Sequence, residues 1–321
     1  MQDHPPQVLY LGAGQLSISP YEEAGTTAGG GGHVAQVIDD LSFEDYQLLA
    51  PLNNSLLNHM ARSPAHFRQE RDNPTERKTD ALRFGTLAHC GVLEEDSIFE
   101  RYERIPPFEK QIDSKNPRAT KRYKEQLAEF KDTIAPKIAV TIDEFDRMLG
   151  VVRSVKQHAN VFIDGRAESV LIWREEETGI WCKARLDYLR WHRDTGTIYD
   201  FKTSRDCRDF GRSIANYGYD RQAAFYLRGC QALGLDVRSF WFVVAETEAP
   251  FGVMAAQLDP VTLADGDQQV RQLLLKVNEC EAKQDWPSYE PPGSWKKPAW
   301  AYKFKPKEAA RPTVGGVEVA I

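Results

Sequence analysis

Residues 167–204, AESVLIWREEETGIWCKARLDYLRWHRDTGTIYDFKTS, constrain the fold more than any other part of the chain. Three runs rich in β-branched and aromatic residues, Ala167–Glu175, Ile180–Trp191 and Thr197–Thr203, are separated by polar turns at Glu176–Gly179 and near His192–Gly196. That is the pattern of two consecutive hairpins. With the first turn centred between Glu177 and Thr178, Glu168 falls opposite Asp187. With the second centred between Arg193 and Asp194, Asp187 falls opposite Asp200. Directly opposed residues share a face at about 5 Å. The expected result is a row of three carboxylates across three adjacent strands.

Such a row destabilises a sheet, because like charges face one another. A divalent cation removes the penalty, and carboxylate oxygens are the ligands that magnesium prefers. Lys202 stands two residues beyond Asp200, so on a strand the two side chains leave the same face. An amine there can hold an attacking water or offset charge developing on a phosphate. The alternative is a set of solvated charges on an outer sheet face. Against it, Asp187 and Asp200 each interrupt a hydrophobic stretch, ARLDYL and IYDFKT. A one-residue slip in either turn sends the side chains to opposite faces.

The elements around this segment are read from periodicity. Helical patterns cover Asn53–Glu70, with Pro64 expected to break or kink it, and Ala81–Glu94, where Leu82, Leu87, Cys90 and Leu93 form an apolar stripe. Residues 105–118 look like a loop, and helical patterns follow at 119–133 and 141–159. After the three strands come a helix at Tyr217–Leu233, strands at Val237–Glu246 and Phe251–Leu258, and a closing helix at Pro260–Lys283. Helices, then β-β-β, α, β-β, α, predict an α/β or α+β sandwich around a mixed sheet, and not a doubly wound parallel chain. Residues 1–40, with GTTAGGGGH at 25–33, read as a flexible segment with a short ordered piece at Val8–Leu11. Residues 41–304 read as one domain, and 305–321 as a loose tail.

Composition narrows the function classes. The five cysteines, Cys90, Cys182, Cys207, Cys230 and Cys280, are scattered without a CxxC pair, which argues against a zinc ribbon or an iron–sulfur cluster. No apolar run approaches the roughly 20 residues that span a bilayer, and the N-terminus has no basic, then apolar, leader pattern. A cytoplasmic location, with no membrane partner, is expected. The net charge of -6 lacks the basic footprint of a typical nucleic-acid binder, although a local basic groove can sit on an acidic chain.

The run LDYLRWHRDTGTIYDFKTS resembles the G/A-R-x-D…D-x-K core of RecB-type nucleases in the PD-(D/E)xK superfamily. RFGTLAHCGVLE at 83–94 resembles the helix that carries the superfamily's histidine, here His89. Gln222 and Tyr226 reproduce its QxxxY pattern. SPAHF at 63–67, SIANYGYDRQAAFY and WPSY…PAWA resemble the RecE-like phage exonucleases. The likeness covers about residues 50–302.

This resemblance implies a restriction-endonuclease-like core, a central mixed sheet flanked by helices. It implies that His89, Asp187, Asp200 and the Phe201 carbonyl hold one or two Mg²⁺ ions, with Mn²⁺ able to substitute. Lys202 would activate or position water. Glu168 would be an outer or second-metal ligand, or else a hydrogen-bonded structural residue. Gln222 and Tyr226 would contact the DNA backbone, brace Lys202, or simply pack their helix. Arg185 would meet a phosphate or pair with Glu168. Ser55, Arg62 and Ser63 lie where related enzymes gather a 5′-terminal phosphate, though a Ser-Pro step is also a common helix breaker.

The activity implied is 5′→3′ digestion of linear double-stranded DNA to mononucleotides in a bacterial host cell. It leaves 3′ tails for a single-strand annealing protein of the RecT/Bet kind, and the enzyme works as a ring-shaped trimer or tetramer. The alternatives are a non-catalytic or endonucleolytic DNA-binding protein of the same fold, or, against the cysteine pattern, an AddB-like iron–sulfur nuclease.

Overall fold

The computed structural model describes residues 9–11, 36–39, 41–75, 79–159, 161–289, 313–314 and 317–318. Strands are β1 Leu9–Leu11, β2 Gln36–Ile38, β3 Tyr102–Arg104, β4 Ile138–Val140, β5 Gly165–Arg174, β6 Trp181–His192, β7 Thr195–Ser204, β8 Val237–Glu246, β9 Val253–Gln257, β10 Thr313–Val314 and β11 Val317–Glu318. Helices are α1 Phe43–Leu48, α2 Asn54–Arg62, α3 Pro64–Asp72, α4 Asp80–Leu93, α5 Ile98–Arg101, α6 Lys121–Ile134, α7 Ile142–His158, α8 Phe210–Tyr217, α9 Tyr219–Ala232 and α10 Pro260–Lys283.

The main sheet has the order β1-β2-β5-β6-β7-β8-β9. Its β5–β6–β7 meander is antiparallel, β8 runs parallel to β7, and β9 returns antiparallel. The sheet is therefore mixed, as expected from the sequence. One face carries α4 and α7 over a core of Leu87, Met148, Val151, Phe201 and Val243. The other carries α9, backed by α10, over Leu171, Trp173, Leu186, Ile198 and Phe225. The result is a helix–sheet–helix sandwich.

Local chemistry sets the boundaries. The predicted helix at 53–70 is two helices. Asn53 caps α2 by accepting from the Leu56 N–H (2.8 Å), and Ser63, in extended conformation, ends α2 and caps α3, with Pro64 at its first position. The predicted helix at Tyr217–Leu233 corresponds to α9, Tyr219–Ala232, and its first predicted residue, Tyr217, instead ends α8. Gly218 takes the left-handed conformation (φ 67°) that ends α8 and starts α9. Asp259 and Pro260 open α10 as predicted, the carboxylate accepting from the N–H groups of Val261 and Thr262.

The short ordered piece expected at Val8–Leu11 coincides with β1, and in the same segment β2 also joins the sheet, with Val37 and Ile38 buried beside β5. The C-terminal tail contains the β10–β11 hairpin. The parallel pair β3–β4 was missed beside the 105–118 segment, which itself contains two short 3₁₀ turns. Residues 1–8, 12–35 and 290–312 lie outside the described set, as does the PAWA part of the late motif.

The α9–α10 crossing is close enough to need a glycine. A Cβ on Gly266 would stand 2.5 Å from the Asp220 carbonyl oxygen and 2.6 Å from its carbon. Gly266→Ala is therefore expected to destabilise by about 1–3 kcal/mol through backbone displacement, despite alanine's intrinsic helix preference of about 1 kcal/mol. A lowered denaturant midpoint at unchanged slope checks this.

Candidate active site at the fork between β6 and β7

The registers are those expected. Ala167 faces Tyr188 and Ser169 faces Leu186, which sets Glu168 across from Asp187; Tyr188 faces Tyr199, so the next pair inward is Asp187 and Asp200. The faces differ from expectation. The β6–β7 ladder ends at Tyr188 and Tyr199. Beyond it the Phe201 N–H donates to Asp187 Oδ2 (2.8 Å). The Asp187 carboxylate thus lies in the sheet plane, filling the fork where the ladder stops. Glu168 drops out of the β5–β6 pairing with φ 61°, a left-handed conformation uncommon for a long side chain. The three carboxylates do not form a single-face row.

They meet instead across the fork. From the α4 side His89 places Nε2 3.0 Å from Asp187 Oδ2 and Nδ1 3.3 Å from Glu168 Oε1. Arg185 Nε sits 2.7 Å from Glu168 Oε2, the ion pair that was one of the two roles expected for it. From the α9 side Lys202 Nζ donates to Asp200 Oδ2. Gln222 Nε2 donates to Asp200 Oδ1 (2.7 Å) and to the Tyr226 hydroxyl (3.2 Å). Gln222 and Tyr226 therefore brace Asp200, and only through it Lys202. Asp200 itself is fully buried, at 0% exposure.

The electrostatics follow from crowding. Burial and then the Asp187 charge push the Asp200 carboxyl up to about 7, against the pull of Lys202. Burial likewise raises Glu168 to about 7, with His89 and Arg185 opposing. Burial would lower His89, but Asp187 and Glu168 outweigh it and raise the imidazole to about 9. Asp187 is the carboxylate kept low: burial opposes ionisation, and His89 overrides it. The Lys202 ammonium is favoured by Asp200 and Asp187 although burial works against it. Environment thus separates two neighbouring carboxyls into a proton-prone and an ionised one.

Of the three residues expected at a 5′-phosphate, Ser55 and Arg62 are exposed on α2, about two turns apart. The same helix carries Asn58, which accepts from Arg221 Nε (3.1 Å) at the start of α9. Ser63 is buried. Its hydroxyl contacts His66 Nδ1 (2.6 Å) and caps α3, so it is spent on structure and not free for a phosphate. Residue reading missed Tyr219, whose ring centroid lies 5.2 Å from Lys202 Nζ. The available signal was its position three residues before Gln222, on the same helical face.

Loss of the brace should be graded. Gln222→Ala removes a hydrogen bond to a charged acceptor, of about 1.5–3 kcal/mol, and should lower kcat/KM about 10- to 100-fold. Tyr226→Phe removes a neutral bond of about 1 kcal/mol and should cost about fivefold. Initial rates for both variants on the duplex DNA that the sequence resemblance implies as substrate test the order.

Residues 53–292 match the family described as "PDDEXK-like domain of unknown function (DUF3799)". The chain belongs to this PDDEXK-like family. Its mixed α/β sandwich agrees with that membership. A crystal structure of a candidate exonuclease from Eubacterium rectale covers 75% of this PDDEXK-like chain and 88% of its own, at 15% identity and a TM-score of 0.49. A crystal structure of SSO0001 covers 68% and 84%, at 13% identity and a TM-score of 0.25. No curated protein matches.

Among the described residues no three His, Cys, Asp or Glu side chains are grouped at metal-binding spacing. His89 and Lys202 themselves occupy the carboxylates. The donor types nevertheless suit a hard divalent cation: carboxylates on β6 and β7 and an imidazole on α4 stand around one fork. The Phe201 N–H points into that fork. In a strand the carbonyl of a residue points to the same edge as its N–H, so the Phe201 carbonyl adds a further oxygen.

Proposed function

We propose that this chain is a magnesium-dependent nuclease that degrades linear duplex DNA from its 5′ ends and leaves 3′ single-stranded tails. The observation that carries this is the convergence of Asp187, Asp200, Lys202 and His89 at the β6–β7 fork of a PDDEXK-like chain. Asp187, Asp200, His89 and the Phe201 carbonyl would hold Mg²⁺ or Mn²⁺, as one or two ions, with Glu168 as an outer ligand through His89. When bound, the cation supplies Lewis acidity toward a phosphate oxygen and acidifies a water.

The chain's own groups do the rest. Lys202, tethered to Asp200, positions the attacking water and offsets negative charge as it builds on the phosphate. Gln222 fixes the Asp200 carboxylate, and Tyr226 fixes Gln222. Arg185 holds Glu168, and Glu168 and Asp187 together orient His89. Ser55 and Arg62, exposed on α2 near the start of α9, are proposed phosphate contacts for the DNA end.

We further assign the chain to a bacterial cytoplasm, with a single-strand annealing protein and a ring-shaped trimer or tetramer as its working context. Among the described residues no helix is long and apolar enough to cross a membrane.

The deciding experiment uses linear duplex labelled at either end, closed circular plasmid, and 5′-phosphate against 5′-hydroxyl ends, with magnesium or EDTA. Release of 5′-terminal nucleotides only with magnesium, and an intact plasmid, is the expected result. Release from 3′ ends overturns the polarity, plasmid cutting overturns exonuclease action, and undiminished cleavage in EDTA overturns the metal assignment.

A further inference from the structure

The aromatic side chains beside Lys202 continue outward past the cluster that holds it. Phe210 and Phe242 are buried. Tyr219 stacks on Phe210 (5.5 Å, 22° between planes) and packs on Phe242 (5.6 Å). Its ring lies 5.2 Å from Lys202 Nζ. The next ring out is Tyr217, 5.6 Å from Tyr219 and 62% exposed. Its hydroxyl has no partner among the described residues.

The backbone of Tyr217 is fixed although its ring is not covered. Asn58 Nδ2 donates to the Tyr217 carbonyl (3.4 Å), and Arg221 Nε donates to Asn58 Oδ1 (3.1 Å). The following Gly218 is left-handed, and a Cβ there would run into the Arg221 guanidinium. A rigidly mounted, exposed phenol thus stands two ring-sized steps from the amine placed at the reacting phosphate. Its ring touches the protein at Tyr219 and leaves most of its surface open to solvent.

We propose that Tyr217 is the platform on which the base flanking the phosphate under attack stacks after it leaves the duplex. The assignment rests on the nuclease reading and names what holds the substrate at that site. Stacking suits an enzyme that must accept every sequence, because each base presents a π-face to an aromatic ring. Removing one such ring typically costs about 5- to 100-fold in affinity.

The test uses linear duplex carrying 2-aminopurine at the terminal or the second nucleotide of either strand, mixed with protein in Ca²⁺ and read by fluorescence. Cleavage rates in Mg²⁺ are read in parallel. Wild type and Tyr217→Phe should quench one of these positions and cut alike. Tyr217→Ala, with an unchanged melting temperature, should leave the probe bright and lose about 5- to 100-fold in kcat/KM. Deleting that one base, with the sugar kept, should bring wild type down to the Tyr217→Ala rate. If Tyr217→Ala quenches and cuts like wild type, the stacking assignment is overturned while the nuclease reading stands. If wild type itself neither binds nor cuts duplex ends, both fall.

Discussion

Lys202→Ala is expected to slow DNA hydrolysis by about 100- to 10,000-fold, the range associated with removing one charge-stabilising or proton-handling group. The amine is 18% exposed, is bound to a carboxylate that is fully buried, and lies beside the Tyr219 and Phe242 rings. Among the described residues the neighbouring cations are already engaged: Arg185 with Glu168, and His89 with Asp187 and Glu168. The variant also loses stability in a pH-dependent way. Asp200 already stands at about 7, and without the ammonium its carboxyl moves higher still. A carboxyl raised in the fold favours the native state when protonated. The benefit is complete below the unfolded carboxyl value, near 4, and is lost as pH rises through the folded value. Lys202→Ala should therefore melt closest to wild type in acid and fall behind above neutrality, while its rate stays low throughout. Initial rates on end-labelled duplex, with melting curves at each pH, separate the two effects. Undiminished hydrolysis at any pH would remove Lys202 from the mechanism.

Trp173→Ala should give the largest loss of stability, about 3–5 kcal/mol. The indole is fully buried on β5, 4.9 Å from the Phe225 ring between centroids. Gly229 on α9 approaches so closely that a Cβ there would lie 2.8 Å from the indole. The indole N–H also donates to Glu175 Oε1 (3.1 Å), and its removal strands part of a buried carboxylate. Against a typical domain stability of about 5–15 kcal/mol, this is about a fifth or more. Urea unfolding followed by fluorescence of the remaining tryptophans measures it, and a loss below about 1 kcal/mol would mean that α9 closes onto the sheet without the indole.

The strand segment was legible because its turns are short and chemically marked. Glu176–Gly179 and Arg193–Asp194 fix the centres of two hairpins, and two centres fix every pairing between β5, β6 and β7. The identities of the residues at the fork followed from that register. Their faces did not. Alternation assumes an unbroken ladder, whereas Asp187 sits where the β6–β7 ladder stops and Glu168 where the β5–β6 pairing skips one position at φ 61°. Helix limits were readable at Asp259–Pro260, where cap and proline agree. They were not readable within NYGYDRQ, where a single glycine between two tyrosines keeps the helical periodicity while turning the chain. β2 escaped notice because three residues carry no period of their own, and their burial comes from tertiary neighbours, β5 and, for Ile38, Leu41, Tyr46 and Leu49. The fates of Ser63 and Arg185 depended on partners, His66 and Glu168, that only the folded arrangement selects.

The pairing of every fork carboxylate with a basic side chain of the same chain has a consequence for biosynthesis. Lys202, His89 and Arg185 act as built-in counterions, so the newly made protein can fold without first capturing an ion from its surroundings. Under the proposed metal assignment, loading would exchange tethered positive groups for a free one, and chelator should then silence the chain while leaving its unfolding cooperative, so that idle and working forms would differ by ion occupancy and not by folding.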